Sequence, residues 1–177
     1  KVFKYRINPD ARWSDGKPII ADDIVATWDL RMDETILMPS EQLSFGKFER
    51  PVAESKYIVS VKAKTVNWRN FLYFSAMSIL PNHILKDLDG TAYLEEYAFS
   101  MFTSSGPYFI PENKIRNQES FILERRLDYW AKNDPFSKHM FNFDKIKVSV
   151  VKDNTALEYE KFKKGEQDFY TVSQARI

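Results

Sequence analysis

Three alternations of apolar and polar residues mark strands in this chain. Phe3, Tyr5 and Ile7 alternate with Lys4 and Arg6. Tyr57, Val59, Val61 and Ala63 alternate with Ile58, Ser60, Lys62 and Lys64, and Ile146, Val148 and Val150 with Lys145, Lys147 and Ser149. A period of two puts one set of each strand on a buried face. Between the first two strands the period becomes helical: Ala21, Val25, Trp28 and Met32, widened by Ile24, predict a helix from Ala21 to Asp33. Asp22 and Asp23 fall in its first turn, where the helix dipole favours carboxylates. Ser14-Asp15-Gly16 supplies a tight turn before it, with Gly16 available for positive φ. Pro39, Ser40 and the Gly46 region read as a loop. A helical segment from Asn67 through Met77 is ended by Pro81. His83 to Leu88 gives a short helical turn broken by Asp89-Gly90. Ala92 to Phe102 is predicted helical, with Tyr93, Tyr97 and Met101 on one face.

The stretch from Thr103 to Tyr108 is the strongest loop signal and the expected boundary. Beyond it, Tyr108 to Ile110 and Phe121 to Arg125 predict a hairpin around Pro111 to Gln118. The last helix opens on a capping-box pattern, Thr155-x-x-Glu158, and closes at Gly165 as the C′ residue. Strands and helices in this order predict an α/β fold, mixed and of the α+β kind, with a mixed β-sheet and flanking helices.

The chain's 177 residues suffice for one large domain or two small ones. Lys plus Arg (26) nearly balance Asp plus Glu (25), and a net charge of +1 gives no reason to expect nucleic acid or an anionic membrane as partner. The absence of cysteine excludes disulfides and thiol catalysis. No apolar run reaches the roughly 18 residues of a membrane span.

Candidate chemistry is sparse. Asp22 and Asp23 are helical neighbours pointing about 100° apart, so they do not converge on one substrate. His83 and His139 are the only histidines, without a metal-ligand companion at motif spacing. Ser14 and Ser105 stand outside any G-x-S-x-G elbow and read as turn residues. The five glycines form no phosphate loop. No catalytic residue, metal site or cofactor is expected. Core or scaffold roles are favoured for all four tryptophans: Trp28 on the helix stripe, Trp130 after a strand, Trp68, and Trp13 beside the turn as the least determined. Lys145 to Lys147 and Lys161 to Lys164 read as solvated faces.

The run from Tyr5 to Val25, containing Arg6, Trp13-Ser14-Asp15-Gly16, Pro18, Ala21 and Asp23, resembles the signature of the family 5 extracellular solute-binding proteins, the oligopeptide- and dipeptide-binding components of ABC importers. Ser105-Gly106-Pro107-Tyr108 is similar to that family's Gly-Pro-Tyr segment, with serine where threonine is common. Leu123 to Trp130 resembles its "LERNPDYW", with Arg126-Leu127 in place of Asn-Pro. Asp153 to Asp168 is similar to its closing "D…ALxxFxxGExD". Met140 to Asp144 resembles the branch of the microcin C and oligopeptide receptor.

The resemblance implies a segment of a periplasmic-binding-protein type II fold that binds and does no chemistry. It implies a monomeric parent in the periplasm or on the extracellular face of the cytoplasmic membrane, its partners a peptide or other small solute and an ABC permease. The chain is read as an internal piece beginning after a leader and first strands and stopping before the second lobe. Residues 1 to 102 would form mainly the smaller lobe and 103 to 177 part of the first lobe, one compact unit being an allowed outcome. Ser105 and Tyr108 are the ligand-proximal candidates. An oligosaccharide receptor of the same family and a non-catalytic interaction module are the alternatives, with a hydrolase last. The isolated chain is expected to bind peptides feebly or not at all.

Overall fold

A computed structural model describes residues 1–97, 100–152 and 155–171. The alternating pattern at the amino end forms strand β1 (Val2–Arg6), which pairs antiparallel with β3 (Ile58–Lys62) so that Phe3 faces Val61 and Tyr5 faces Val59. A second strand, β2 (Val52–Ser55), completes a three-stranded sheet in the order β1-β3-β2, with an irregularity between Ala53 and Ser55. Val59, Val61 and Ala63 are buried as the alternation predicts. Helix α1 (Ala21–Met32) covers this face with Ala21 and Ile24. Phe48, Phe74 and Met77 complete the core, and Phe3, Tyr5 and Trp28 pack around it.

The buried face of α1 differs from the predicted stripe. Ala21, Asp23, Ile24, Thr27 and Leu30 point inward, while Val25, Trp28 and Met32 are half-buried. The two polar residues explain the difference, because each satisfies backbone that would otherwise be orphaned. Thr27 donates its hydroxyl to the Asp23 carbonyl at 2.6 Å and accepts the Leu80 N–H at 2.8 Å. Asp23 accepts the N–H of Ile20 at 2.8 Å and of Asn82 at 2.7 Å.

Pro39 opens a helix instead of a loop: α2 (Pro39–Phe45) carries proline in its first turn, where the missing N–H costs nothing. Gln42 fastens it to the Asp33 carbonyl at 2.8 Å, and Glu41 pairs with Arg31. The segment expected helical from Asn67 shortens to α3 (Asn70–Ser75), and the turn after Pro81 is α4 (Asn82–Leu85). Asp89-Gly90 starts a helix where a break was predicted. The Asp89 side chain accepts the Ala92 N–H at 2.8 Å and caps α5 (Gly90–Tyr97). A Cβ on Gly90 would lie 2.3 Å from the Ile36 nitrogen, so only glycine lets α5 meet the turn at Glu34–Ile36. The chain is no longer helical at Met101, which is exposed. Phe102 instead joins Tyr93 and Tyr97, its ring centroid 4.7 Å from that of Tyr97. Ala98 and Phe99 lie outside the described residues.

The chain divides into two compact units: Lys1–Pro107 with Arg126–Asn142, and Tyr108–Arg125 with Phe143–Ile177. The first division falls inside the predicted loop, and residues 126–142 then return to the first unit. In the second unit the expected hairpin is present as β4 (Tyr108–Phe109) against β6 (Ser120–Arg125), with a short β5 (Ile115–Arg116) on the same side. On the other side β7 (Lys145–Ser149) pairs Ile146 with Leu123 and Val148 with Phe121. Val150 falls just beyond β7. Every described strand pair is antiparallel, so the mixture is of helices with sheet and not of strand directions. Helix α6 (Thr155–Lys163) ends at Gly165 as predicted: Glu166 N–H reaches the Lys161 carbonyl and Gly165 N–H that of Phe162, both at 3.0 Å. The predicted capping box needs the Thr155 side chain, which lies outside the described residues, as do Asp153 and Asn154.

Candidate functional site

The turn after β1 is built by its own backbone. Trp13 N–H donates to the Lys17 carbonyl at 2.9 Å, Gly16 N–H donates to the Trp13 carbonyl at 3.0 Å, and Gly16 takes φ 85°. Trp13 points inward, 2% exposed, and forms a small core with Ala11 and Ile19 on which Trp130 and Ile79 rest. Its indole N–H donates to the Asp23 carboxylate at 3.1 Å. The turn thereby shares a buried anchor with α1 and α4. Sequence reasoning credited Asp23 with helix-start electrostatics alone. The carboxylate is 2% exposed and takes three N–H donors, whereas Asp22 is solvent-exposed.

Asp15 leaves the same turn and meets the His83 Nε2 of α4 at 2.6 Å, with the Lys17 ammonium 3.8 Å away. Partial burial opposes its ionisation, but the Lys17 amide, His83 and the Lys17 charge outweigh that, and its carboxyl lies below the ordinary aspartate range. Asp33 is also lowered, by the Thr35 hydroxyl and amide. Glu54 is lowered by Lys4, and Asp128 by Arg126. A carboxyl lowered in the folded state stabilises the fold above its unfolded value and loses that contribution as pH falls through the folded one. The urea midpoint should therefore hold steady down to pH about 5 and fall below about 4. Asp15→Asn should flatten part of that fall. Urea titrations between neutral and acidic pH measure both effects.

Ser14 does more than shape the turn. Its N–H donates to the Ser104 carbonyl at 2.7 Å and its hydroxyl oxygen accepts the Ser104 N–H at 3.3 Å. The Ser-Gly-Pro segment is held from its other side by residues after β6. Trp130 Nε1 donates to the Ser105 carbonyl at 3.1 Å, Arg126 Nη1 to that of Gly106 at 3.3 Å and Arg126 N–H to that of Pro107 at 2.8 Å. The Arg126 side chain is nearly buried and forms a two-point pair with Asp128 at 3.1 and 3.2 Å. Four successive carbonyls, Ser104 to Pro107, are thus occupied within the first unit. The scaffold role predicted for Trp130 is observed. Arg126 and Asp128, which sequence reasoning quoted without a role, supply the rest of the clamp.

The two ligand-proximal candidates fall in different units: Ser105 in the first, Tyr108 in the second. Ser105 contributes its carbonyl to Trp130. The Tyr108 hydroxyl donates to the Phe143 carbonyl at 3.0 Å, across the mouth of the hairpin. His139 lies exposed on the segment that returns to the first unit. Trp68 departs from the scaffold expectation and is largely solvent-exposed.

A surface groove of about 340 Å³ runs between α1 and α4, lined by Asp29, Asp33, Asn82 and Lys86 among others. Its carboxylates are already engaged, Asp29 by Arg50 at 2.6 and 2.7 Å and Asp33 by Thr35. Among the described residues no group of three or more His, Asp or Glu side chains is placed to hold a metal. No described helix is long and apolar enough to cross a membrane.

The sequence pattern of "Bacterial extracellular solute-binding proteins, family 5 Middle" matches residues 1–177. The chain is 31% identical over 174 residues to the peptidoglycan-binding protein YepA of Agrobacterium fabrum, covering 98% of this chain and 27% of that protein. Among solved structures it resembles the oligopeptide-binding protein AppA of Bacillus subtilis in complex with a nonapeptide, with a TM-score of 0.71 and 23% identity over 97% of this chain and 32% of that one. A mannohexaose-bound periplasmic oligopeptide-binding protein of Thermotoga maritima gives a TM-score of 0.76 at 16% identity, over 97% of this chain and 31% of that one. These likenesses show the fold. The chain spans about a quarter of the length of the curated relatives it matches.

Proposed function

The chain belongs to the family 5 bacterial extracellular solute-binding proteins, and from that premise we propose that it is part of the substrate-binding component of an ABC importer that captures peptides and hands them to a membrane permease. The family match along the whole chain carries this reading. The local architecture is consistent with a binding scaffold: the turn at Trp13 to Gly16, the Ser-Gly-Pro segment and the Trp130 stretch interlock through backbone hydrogen bonds and an indole, an arrangement that positions chain segments. Ser14 accepts an amide proton at its hydroxyl, and the Asp15–His83 pair serves to hold the turn against α4.

In this reading residues 1–102 form mainly the smaller lobe and 103–177 enter the first lobe, the protein works at the periplasmic or extracellular face of the membrane as a monomer, and Ser105 and Tyr108 lie toward the ligand. An extended peptide would be recognised chiefly through its backbone, with roomy side-chain pockets. Calorimetric titration with mixed di- to pentapeptides tests the proposal. The full-length protein should bind with micromolar or tighter affinity, and the 177-residue chain alone feebly or not at all. A full-length protein that ignores peptides overturns the function, and micromolar binding by the isolated chain overturns the expectation that the gripping surfaces lie mostly outside it. A saccharide ligand is the second reading, favoured by the mannohexaose-bound neighbour and the peptidoglycan-binding relative. Titration with mannohexaose and with peptidoglycan fragments in the same calorimeter separates the two.

A further inference from the structure

The net charge of +1 hides an uneven distribution. No Asp or Glu occurs between Glu54 and Asp87, while Lys56, Lys62, Lys64, Arg69 and Lys86 fall in that stretch. Its middle part also holds a run of exposed apolar side chains: Val66 is 86% exposed and Trp68 76%, followed by Phe71, Leu72 and Tyr73, all exposed. This exposure does not come from a loose loop. Asn70 is buried and its amide donates to the Thr65 carbonyl at 2.8 Å, and the Asn67 side chain accepts the Arg69 N–H at 2.8 Å. The two bonds fix the loop, and the buried Asn70, Phe74 and Met77 fix the inward face of α3, so Val66, Trp68 and Leu72 are held outward.

Cations surround the cluster. The Arg69 guanidinium lies over the Trp68 ring at 4.8 Å and the Lys47 ammonium over Tyr73 at 5.3 Å. Lys64 is bonded through its backbone to Lys47, and Lys1 sits over Phe3, whose ring meets Phe71 edge-on at 5.9 Å. The nearby carboxylate of Glu49 is engaged by Lys62 at 2.7 Å. Indole and phenol rings beside aliphatic side chains, ringed by cations, match the boundary between headgroups and acyl chains of an anionic bilayer.

We propose that the Lys64–Tyr73 surface docks on anionic lipid bilayers, Val66 and Trp68 entering the interface and Lys47, Lys64 and Arg69 facing the headgroups. The proposal is independent of the solute bound. The test is co-sedimentation of the full-length protein with phosphatidylcholine vesicles with and without phosphatidylglycerol, together with Trp68 emission. Binding should require phosphatidylglycerol, weaken as salt screens the charges, and shift Trp68 emission to the blue. Val66→Ser with Trp68→Ser should lower partitioning about tenfold or more, and Lys64→Glu with Arg69→Glu should abolish the dependence on phosphatidylglycerol. Both variants change exposed side chains and should keep the parent's unfolding midpoint and solute affinity. Failure to bind phosphatidylglycerol vesicles at low salt overturns the proposal, as does binding that survives both variants. Two further results replace it with another occupant. One is self-association that Trp68→Ser removes without any vesicle binding. The other is a Trp68 in the full-length protein already shielded from iodide before vesicles are added, which makes the cover another part of the same polypeptide.

Discussion

Replacing Asp23 by alanine should cost about 3 kcal/mol or more of folding stability, because it leaves three buried N–H donors unpaired at roughly 1–3 kcal/mol each. The carboxylate is 2% exposed and accepts the Trp13 indole N–H at 3.1 Å, the Ile20 N–H at 2.8 Å and the Asn82 N–H at 2.7 Å. Those donors belong to the turn, the start of α1 and the start of α4. Alanine leaves all three without an acceptor in a space closed to water, and unpaired buried donors bear the full desolvation penalty. An asparagine side chain at this position offers a single acceptor oxygen and turns an amide N–H₂ toward a donor, so Asp23→Asn should recover less than half of the loss. Urea unfolding followed by circular dichroism gives both numbers. A loss under about 1 kcal/mol for Asp23→Ala would mean that water enters and replaces the carboxylate, and that the three elements do not depend on it.

Phe48→Ala should cost a comparable amount, about 3–5 kcal/mol, as large-to-small changes of buried aromatics do. Phe48 is fully buried, its ring meets that of Phe74 edge-on at 5.3 Å, and its backbone bridges to Ala63 beside β3. It fills the space between the sheet, α1 and α3. The surrounding Val59, Val61 and Phe74 sit on elements fixed by their own hydrogen bonds, so collapse around the void is limited. Phe48→Leu should recover more than half of the loss, because it keeps most of the volume. Thermal unfolding of both variants reads the effect, and equal midpoints for Phe48→Ala and the parent would refute the packing described.

These two residues also mark the reach of sequence reasoning. The strands were legible because β1 and β3 bury one face each, and Phe3, Tyr5, Val59 and Val61 therefore alternate cleanly with more exposed neighbours. The existence of α1 was legible as well, but its orientation was not. Hydropathy assigns Asp23 and Thr27 to solvent, whereas both are buried through hydrogen bonds to residues more than 50 positions away. Phe48 lay two residues beyond Gly46 in a stretch without periodicity. The neighbouring α2 buries no residue, and β2 only half-buries Ala53, so neither leaves a pattern. Family resemblance identified the segments at Trp13, at Ser105 and at Trp130. It did not reveal that they touch, because the bond between Ser14 and Ser104 spans 90 positions and obeys no local rule. Trp68 is the opposite case: residue type argued for the interior, and the loop built by Asn67 and Asn70 carries it outward.

The return of residues 126–142 to the first unit bears on how the molecule is born. Trp130 completes the packing around Trp13, and Arg126 and Trp130 fasten the Ser-Gly-Pro stretch. A nascent chain in which residues 126–142 have not yet emerged lacks those pieces and leaves the Trp13 cluster without its Trp130 cover. The β4–β6 hairpin emerges in that interval and is inserted between the two halves of its neighbour's sequence. Vectorial synthesis therefore cannot complete the first unit until residue 142 has emerged, and the unfinished Trp13 cluster is a surface that a holding chaperone would meet during the delay.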